Sequence, residues 1–381
     1  MNIDTNASSP LFQPIRLRGL ELANRVVVSP MCQYSAVDGC MQPWHAVHLG
    51  QLALSSAGML MIEATSVEDI GRITPGDVGL YDNATERAMG EVLTVLRALN
   101  PRARLPLAIQ LGHAGRKASS NAPWDGGQQI ALEDGGWEAV APSAVAHLDG
   151  ELPPRAISRD QMRILLQRFV DSTERALRLG FDAVELHAAH GYLVHQFLSP
   201  VANRRDDEYG GSLENRMRYP LEILSAMRAC WPEDRPLGVR ISATDWDEVS
   251  SWDLDEAIEF SRACEAAGAD WIDVSSGGVS SKQNIVLGAG YQVPFAAAVK
   301  KAVGIPVMAV GLITEPKQAE EIISAGQADM VALARAFLYN PRWVWHAAQA
   351  LGATVEAPVQ YWRSEPREAR GLYGDTKVGQ R

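Results

Sequence analysis

The sequence predicts an α/β fold, a single (β/α)₈ barrel of the TIM type, on three observations. Eight short apolar runs recur along the 381 residues, amphipathic stretches lie between them, and a glycine repeatedly marks where such a stretch stops. Continuous apolar runs of this length suit parallel strands covered on both faces. Strand, helix and glycine stop in alternation are the mark of βα units. A doubly wound open sheet is the alternative. It ordinarily carries a G-x-G-x-x-G turn after its first strand, and none occurs there.

Taken in order, the runs are Val26 to Ser29, Met59 to Ala64, Leu107 to Leu111, Ala183 to His187, Gly238 to Ser242, Trp271 to Ser275, Val307 to Val310 and Met330 to Leu333. Between them, Gln161 to Leu179 keeps Ile164, Leu165, Phe169, Ala176 and Leu177 near one helical face. Asp253 to Ala267 and Pro316 to Ala325 behave alike. Gly180, Gly268, Gly304 and Gly326 are the stops, where a residue without Cβ takes the left-handed conformation at no steric cost.

One connection is abnormal. From about 112 to 158 there is no strong helix signal, and glycines, prolines, Trp124 and Trp137 fill the stretch. A loop of that length in a compact domain is usually functional. It reads as a cap over the barrel mouth after the third strand, with the two tryptophans favouring burial. The chain 1–381 then reads as one domain, with this cap and a C-terminal interface tail at about 353–381.

Composition narrows the function. Apolar residues at 46% and charged residues at 21% allow a sizeable core and exclude wholesale disorder. A net charge of −11 argues against a general affinity for nucleic acid or anionic membrane. No uncharged apolar run reaches the length of a membrane span. Cys32, Cys40, Cys230 and Cys264 show no Cys-x-x-Cys spacing, so neither a zinc ribbon nor an iron–sulfur cluster is signalled. They are too few for a disulfide scaffold, and Met1 to Pro10 does not read as a signal peptide, so the expected location is the cytoplasm.

Barrel chemistry is built where the strand C-termini converge, so polar residues should gather as each apolar run ends. Ser29, Pro30, Met31 and Cys32 end the first run, with Tyr34 close behind. Glu63, Ala64 and Thr65 end the second; Gln110 and His113 the third; Glu185, His187, His190 and Tyr192 the fourth. An Arg inside a strand, as at Arg240, is costly unless it meets an anionic ligand or an ion-pair partner, for which Glu185 is the candidate. Gly311 and Arg335 end the seventh and eighth runs, where barrels often bind phosphate. Gly277-Gly278 would let a backbone approach a ligand closely.

The sharpest cluster is His187-x-x-His190-x-Tyr192. Two imidazoles can hold one carbonyl oxygen or oxyanion, and a phenol beside them can deliver a proton. The same histidines, with His195 or a carboxylate, could instead ligate a metal, but no H-x-H or H-E-x-x-H pattern supports one and none is expected. Cys32 reads as a small buried hydrophobe, or less readily as a nucleophile.

These motifs resemble the old yellow enzymes, flavin-dependent ene-reductases. The resemblance runs from Leu11-Phe12-Gln13-Pro14 to Arg363. It is carried by residues 17–25, by His187-Ala-Ala-His190-Gly-Tyr192, and by the long segment from Leu198 through Asn203-Arg204-Arg205 to Asn215-Arg216. Cys32 with Gln110-Leu-Gly-His113-Ala-Gly-Arg116-Lys117 is similar to the thermophilic-like subclass. The resemblance implies noncovalent FMN, contacted by Ser29, Pro30, Met31, Cys32, Ala64 and Gln110, with Arg240 near N1 and the C2 carbonyl. It places the phosphate by Gly311, Ala334 and Arg335. It implies NADPH or NADH as reductant and activated alkenes such as α,β-unsaturated carbonyls as substrate, reduced by hydride from flavin N5 in a ping-pong cycle. His187 and His190 would hold the substrate oxygen, Tyr192 would protonate the α-carbon, and Tyr34 would line the pocket. Arg363 would reach a neighbouring active site in a homodimer or homotetramer.

Overall fold

The computed structural model describes residues 9–99, 105–249 and 252–376; residues 1–8, and 377–381 of the expected interface tail, lie outside the described residues. Eight parallel strands close into a barrel: Val26–Val28, Met59–Ser66, Leu107–Gly112, Ala183–Ala188, Leu237–Ser242, Trp271–Ser275, Val307–Ala309 and Met330–Leu333. Each pairs with its neighbours in chain order, and the eighth pairs with the first to close the ring. All eight expected runs are barrel strands.

The strands are less uniformly apolar than the runs suggested, because their two faces differ. Leu60, Ile62, Ile109, Val184, Val239 and Ile272 point outward into one large core under the helices. Their neighbours point inward, as the period of two requires. At the N-terminal end of the barrel the inward set is apolar, with Met59, Met61, Ala108, Ala183, Trp271 and Met308 in one cluster. A preceding hairpin, Ile15–Leu17 with Leu20–Leu22, adds Leu17 and Leu22 to that cluster and closes this end. Higher up, the inward residues Glu63, Gln110, Glu185, Arg240 and Asp273 are polar and buried. They sit within the strands, inside the runs that the sequence marks out.

Helix boundaries follow their caps. The long helix Arg159–Arg178 starts earlier than its apolar periodicity. Ser158 accepts the Gln161 N–H, and the Gln161 side chain accepts the Ser158 N–H. Such a reciprocal cap is worth about 1 kcal/mol. Asp253 likewise caps Leu254–Ala266 by accepting from Asp255 and Glu256. Gly180, Gly268 and Gly326 are left-handed stops as expected. Gly304 is not; its N–H donates to the Glu265 carboxylate at 3.0 Å.

The excursion after the third strand is built from short 3₁₀ turns, Gly115–Lys117, Pro123–Asp125 and Leu132–Asp134, and the strand pair Val140–Ala141 with Arg155–Ala156. Trp137 is half-buried, donates to the Ile70 carbonyl at 2.9 Å and lies under Arg72. Trp124 corrects the expectation of burial: it is 68% exposed and meets Tyr34 edge-on.

Gly238 stands opposite Trp271 across the fifth and sixth strands, and a Cβ there would lie 1.9 Å from the indole. Gly238→Ala should therefore destabilise the fold by about 3 kcal/mol, read from urea unfolding, because a packed core cannot absorb that overlap.

Candidate active site

Burial of an unpaired charge is costly, so the polar interior has to be satisfied within the barrel. Strand register sets Arg240 beside Asp273 on one side and His187 on the other. The Arg240 Nε lies 3.3 Å from the Asp273 carboxylate, and a terminal nitrogen donates to Ser29 Oγ at 3.2 Å. Its ion-pair partner is thus Asp273, not Glu185 as expected. Glu185 instead accepts from Gln110 Nε2 at 2.8 Å and from Trp271 Nε1 at 2.9 Å. Burial, and then the Asp273 charge, raise the Glu185 carboxyl well above the ordinary range. Burial also raises Asp273, with Arg240 opposing. Asp273 carried the same signal as Arg240, a charge inside an apolar run, and was missed because only register identifies the pair.

Above this layer, the loop after the fourth strand delivers His187, His190 and Tyr192 to one place. The His187–His190 and His187–Tyr192 ring centroids are 5.1 and 5.0 Å apart, each pair edge-on. His190 is held in the left-handed region at φ +58°. Its N–H donates to Ser242 Oγ at 2.9 Å, its carbonyl accepts from Lys117 Nζ at 3.0 Å, and its Nε2 meets Ser275 Oγ at 2.7 Å. His187 Nδ1 accepts the Ala189 N–H at 3.2 Å, which leaves the proton of the neutral ring on Nε2. Burial first, then Arg240, holds both histidines well below their usual range, so both are neutral. Burial first, then Cys32 and Tyr34, raises the Tyr192 phenol far above its usual range. Tyr192 therefore keeps its proton.

Gly277 and Gly278 are both left-handed. What Gly278 approaches is the chain itself: a Cβ would lie 2.5 Å from the His190 carbonyl. His195, offered as a third metal ligand, turns away. Its Nδ1 accepts the Gly191 N–H at 2.9 Å and its Nε2 faces Asp245 at 3.1 Å. His113 pairs with Glu68 at 2.9 Å.

Barrel closure brings the ends of the first and eighth strands together. The Ser29 N–H donates to Leu333 O at 3.0 Å, so the end of the first strand lies beside the end of the eighth. Gly311 follows the seventh strand at φ +119°, and a Cβ there would lie 2.8 Å from Gln292 Nε2. Gln292 donates to Val310 O at 3.0 Å and accepts from Ser276 at 2.6 Å, a support the sequence did not reveal. Ala334 caps the short helix Arg335–Tyr339. Arg335 is exposed and, among the described residues, forms neither an ion pair nor a side-chain hydrogen bond. Pro30, Met31, Cys32 and Ala64 lie half-buried at the ends of the first and second strands. Burial, then Asp77 and Glu63, push the Cys32 thiol up well above its usual range, so it stays a thiol and is no ready nucleophile. Tyr34 is left-handed at φ +50°, and burial raises its phenol too. Arg363 is exposed on the 3₁₀ turn Val359–Ser364 and is not brought to this cluster.

FMN fits these residues on two observations. The buried Arg240 Nε has no aligned hydrogen-bond acceptor and borders the layer carrying the histidines. Arg335, Ala334 and Gly311 offer a guanidinium and open backbone at adjoining strand ends, which suits a phosphate. Fold and site thus define a flavin-dependent oxidoreductase barrel. The profile of the NADH:flavin oxidoreductase / NADH oxidase family matches residues 10–353. The chain belongs to that family, the old yellow enzymes, and FMN and a nicotinamide reductant are its cofactors. It is 42% identical to the NADH:flavin oxidoreductase FG08077 of Gibberella zeae, over 96% of this chain and 92% of that protein. It is 41% identical to the NADPH dehydrogenase of Geobacillus thermodenitrificans, over 93% and 98%. A solved structure of morphinone reductase in complex with tetrahydroNAD superposes with a TM-score of 0.72 at 26% identity, covering 96% of each chain.

Glu63 offers a pH test beside this site. It is 2% exposed, accepts the Gln33 N–H at 3.1 Å, and burial raises it to about 8. Folded Glu63 is neutral at pH 7, whereas the unfolded chain ionises above its ordinary carboxyl pKa. Its contribution to stability is therefore complete below that pKa and is lost as pH rises toward 8. Glu63→Gln should remove this slope, at most ~1.4 kcal/mol per pH unit, so denaturation from pH 5 to 8 should show the variant gaining on the parent as pH rises.

Proposed function

We propose that this NAD(P)H-dependent flavoprotein reduces the activated C=C bond of α,β-unsaturated carbonyl compounds. The observation that carries the reading is a phenol held protonated against two neutral imidazoles at the barrel mouth. FMN, when bound by Ser29 to Cys32, Ala64, Gln110, Arg240, Gly311, Ala334 and Arg335, supplies the hydride chemistry. The protein supplies the rest.

His187 presents Nε2–H. His190 can present Nδ1–H if Ser275 gives its proton to Nε2. The lengths favour this: Ser275 is 2.7 Å from His190 but 3.4 Å from Gln292 Oε1, which Ser276 already occupies at 2.6 Å. His187 Nε2 and His190 Nδ1 lie 3.4 Å apart in one mutual hydrogen bond. A substrate carbonyl oxygen that displaces it would receive an N–H from each ring, and both bonds strengthen as that oxygen gains negative charge. Neutral rings achieve this without adding a charge that would repel Arg240. Tyr192 delivers its phenolic proton to the α-carbon, and Tyr34 lines the opposite wall. Arg363 completes the pocket of a neighbouring copy in a homodimer or homotetramer.

An anaerobic absorption spectrum tests the whole reading. Flavin bands should bleach on adding NADPH and return on adding cyclohexenone; bands that never return would sink the alkene assignment. With the half-reactions followed separately by stopped flow, Tyr192→Phe should slow reoxidation by enone about 100-fold or more while flavin reduction stays within about twofold. Equal loss in both would remove Tyr192 as the proton donor.

A further inference from the structure

Beside the His–His–Tyr cluster, the cap encloses a second cavity of about 180 Å³. Tyr34, Arg116, Lys117, Asn121, His147 and Glu151 are among its walls. We propose that this cavity is an anion subsite, in which Arg116 and Lys117 receive a carboxylate or phosphate carried by the molecule whose reacting end lies at Tyr192. The proposal rests on the function proposed above and extends it to a class of ligand.

Two adjacent cations meet here whose hydrogen bonds all go to carbonyls, with Glu151 and Asp245 as the nearby carboxylates. Arg116 is 3% exposed. It donates to Val145 and Ala146 carbonyls at 3.2 Å and to Val279 at 2.6 Å, and its buried Nε has no hydrogen-bond partner. Lys117 donates to His190 and Gly278 carbonyls, both at 3.0 Å. An ammonium has three donors, so one is left over. Neither side chain forms an ion pair among the described residues. The carboxylate on the wall, Glu151, accepts the Leu148 N–H of its own loop at 3.0 Å. A neutral cavity would not need this arrangement: two charges stripped of water and set side by side are costly until an anion joins them. Burial lowers Arg116 to about 10 against the opposing pull of Asp245 and Glu151; burial and then Arg116 lower Lys117 to about 8; burial, then Lys117 and Arg116, lower His147 to about 3. An anion between them would reverse that penalty.

Lys117 also fixes the subsite's relation to the chemistry. Its Nζ lies 5.1 Å from the centre of the Tyr192 ring while it lines the cap cavity. One cation thus borders both the proton donor and the space beyond it. A ligand that spans the two has an electrophilic end at the histidines and an anionic end under the cap. That description fits an enone bearing a remote carboxylate or phosphate, and it also fits the phosphate of the nicotinamide reductant.

Two probes distinguish those sources. The first is 4-oxohex-5-enoate against its methyl ester in reoxidation of the reduced enzyme, with calorimetric binding of saturated 4-oxohexanoate and its methyl ester to the oxidised enzyme. The acid should be preferred, and Lys117→Met should cut the acid-to-ester ratio about tenfold or more. Using the ratio cancels any general disturbance of His190. Lys117→Arg should keep the preference, and Glu151→Gln, a change at the rim, should raise it. The second probe is the reductant. If the anion is the cofactor's, acid and ester behave alike, and Lys117→Met slows flavin reduction by NADPH but not by 1-benzyl-1,4-dihydronicotinamide, which has no phosphate. If no ratio responds to Lys117 or Glu151 in either half-reaction, the subsite does not exist. Failure of the wild-type enzyme to be reoxidised by either enone would overturn the proposed reaction instead, and the calorimetry would still report on the anion.

Discussion

Arg240 carries a full charge inside a closed barrel, and the polar interior is arranged around that fact. Asp273 stands beside it in register, Ser29 takes one terminal nitrogen, and Glu185 lies in the same layer tied to Gln110 and Trp271. Below are methionines, alanines and an indole; above are the histidines. The gradient from apolar base to polar mouth follows from alternation along each strand. It positions a cation under the site without exposing it to water, where its effect would be screened. Asp273 faces the Arg240 Nε without an aligned hydrogen bond, and Ser29 takes one of the two terminal nitrogens.

The mouth shows a second economy. His190 is held at an unfavourable backbone angle for a side chain with Cβ, and four groups from other strands and the cap hold it there: Ser242, Ser275, Lys117 and the close-packed Gly278. Strain of this kind persists only where its surroundings over-determine it. The glycine pair after the sixth strand belongs to that support. The smallness of Gly278 serves contact between two loops.

Much of this was legible. The eight strands could be read from apolar runs, because a closed parallel sheet buries both faces of every strand. His187, His190 and Tyr192 could be read from three-residue and two-residue spacing at one strand end. What could not be read depends on relations across the barrel. Asp273 rather than Glu185 pairs with Arg240 because of register, which is not encoded locally. Ser242, Ser275 and Gln292 are ordinary polar residues until neighbouring strands bring them together. Trp124 looked like a buried anchor because tryptophan usually is one; the cap places it at the surface, where it only edges Tyr34. Gly304 looked like its three fellow stops, yet the Glu265 carboxylate, on the helix Leu254–Ala266, takes its N–H and no left-handed turn is needed.

The ring is joined where the chain's beginning meets its end: Val26–Val28 pairs with Met330–Leu333, roughly three hundred residues later. That seam is also where Ser29 lies beside the end of the eighth strand, from which Ala334 and Arg335 follow. Seven of the eight strand pairings join sequence neighbours, so the seam is the last contact whose closure entropy must be met. A ligand gripped across it acts as a clasp on the whole cylinder. By mass action its binding would add to the stability of the joined ring.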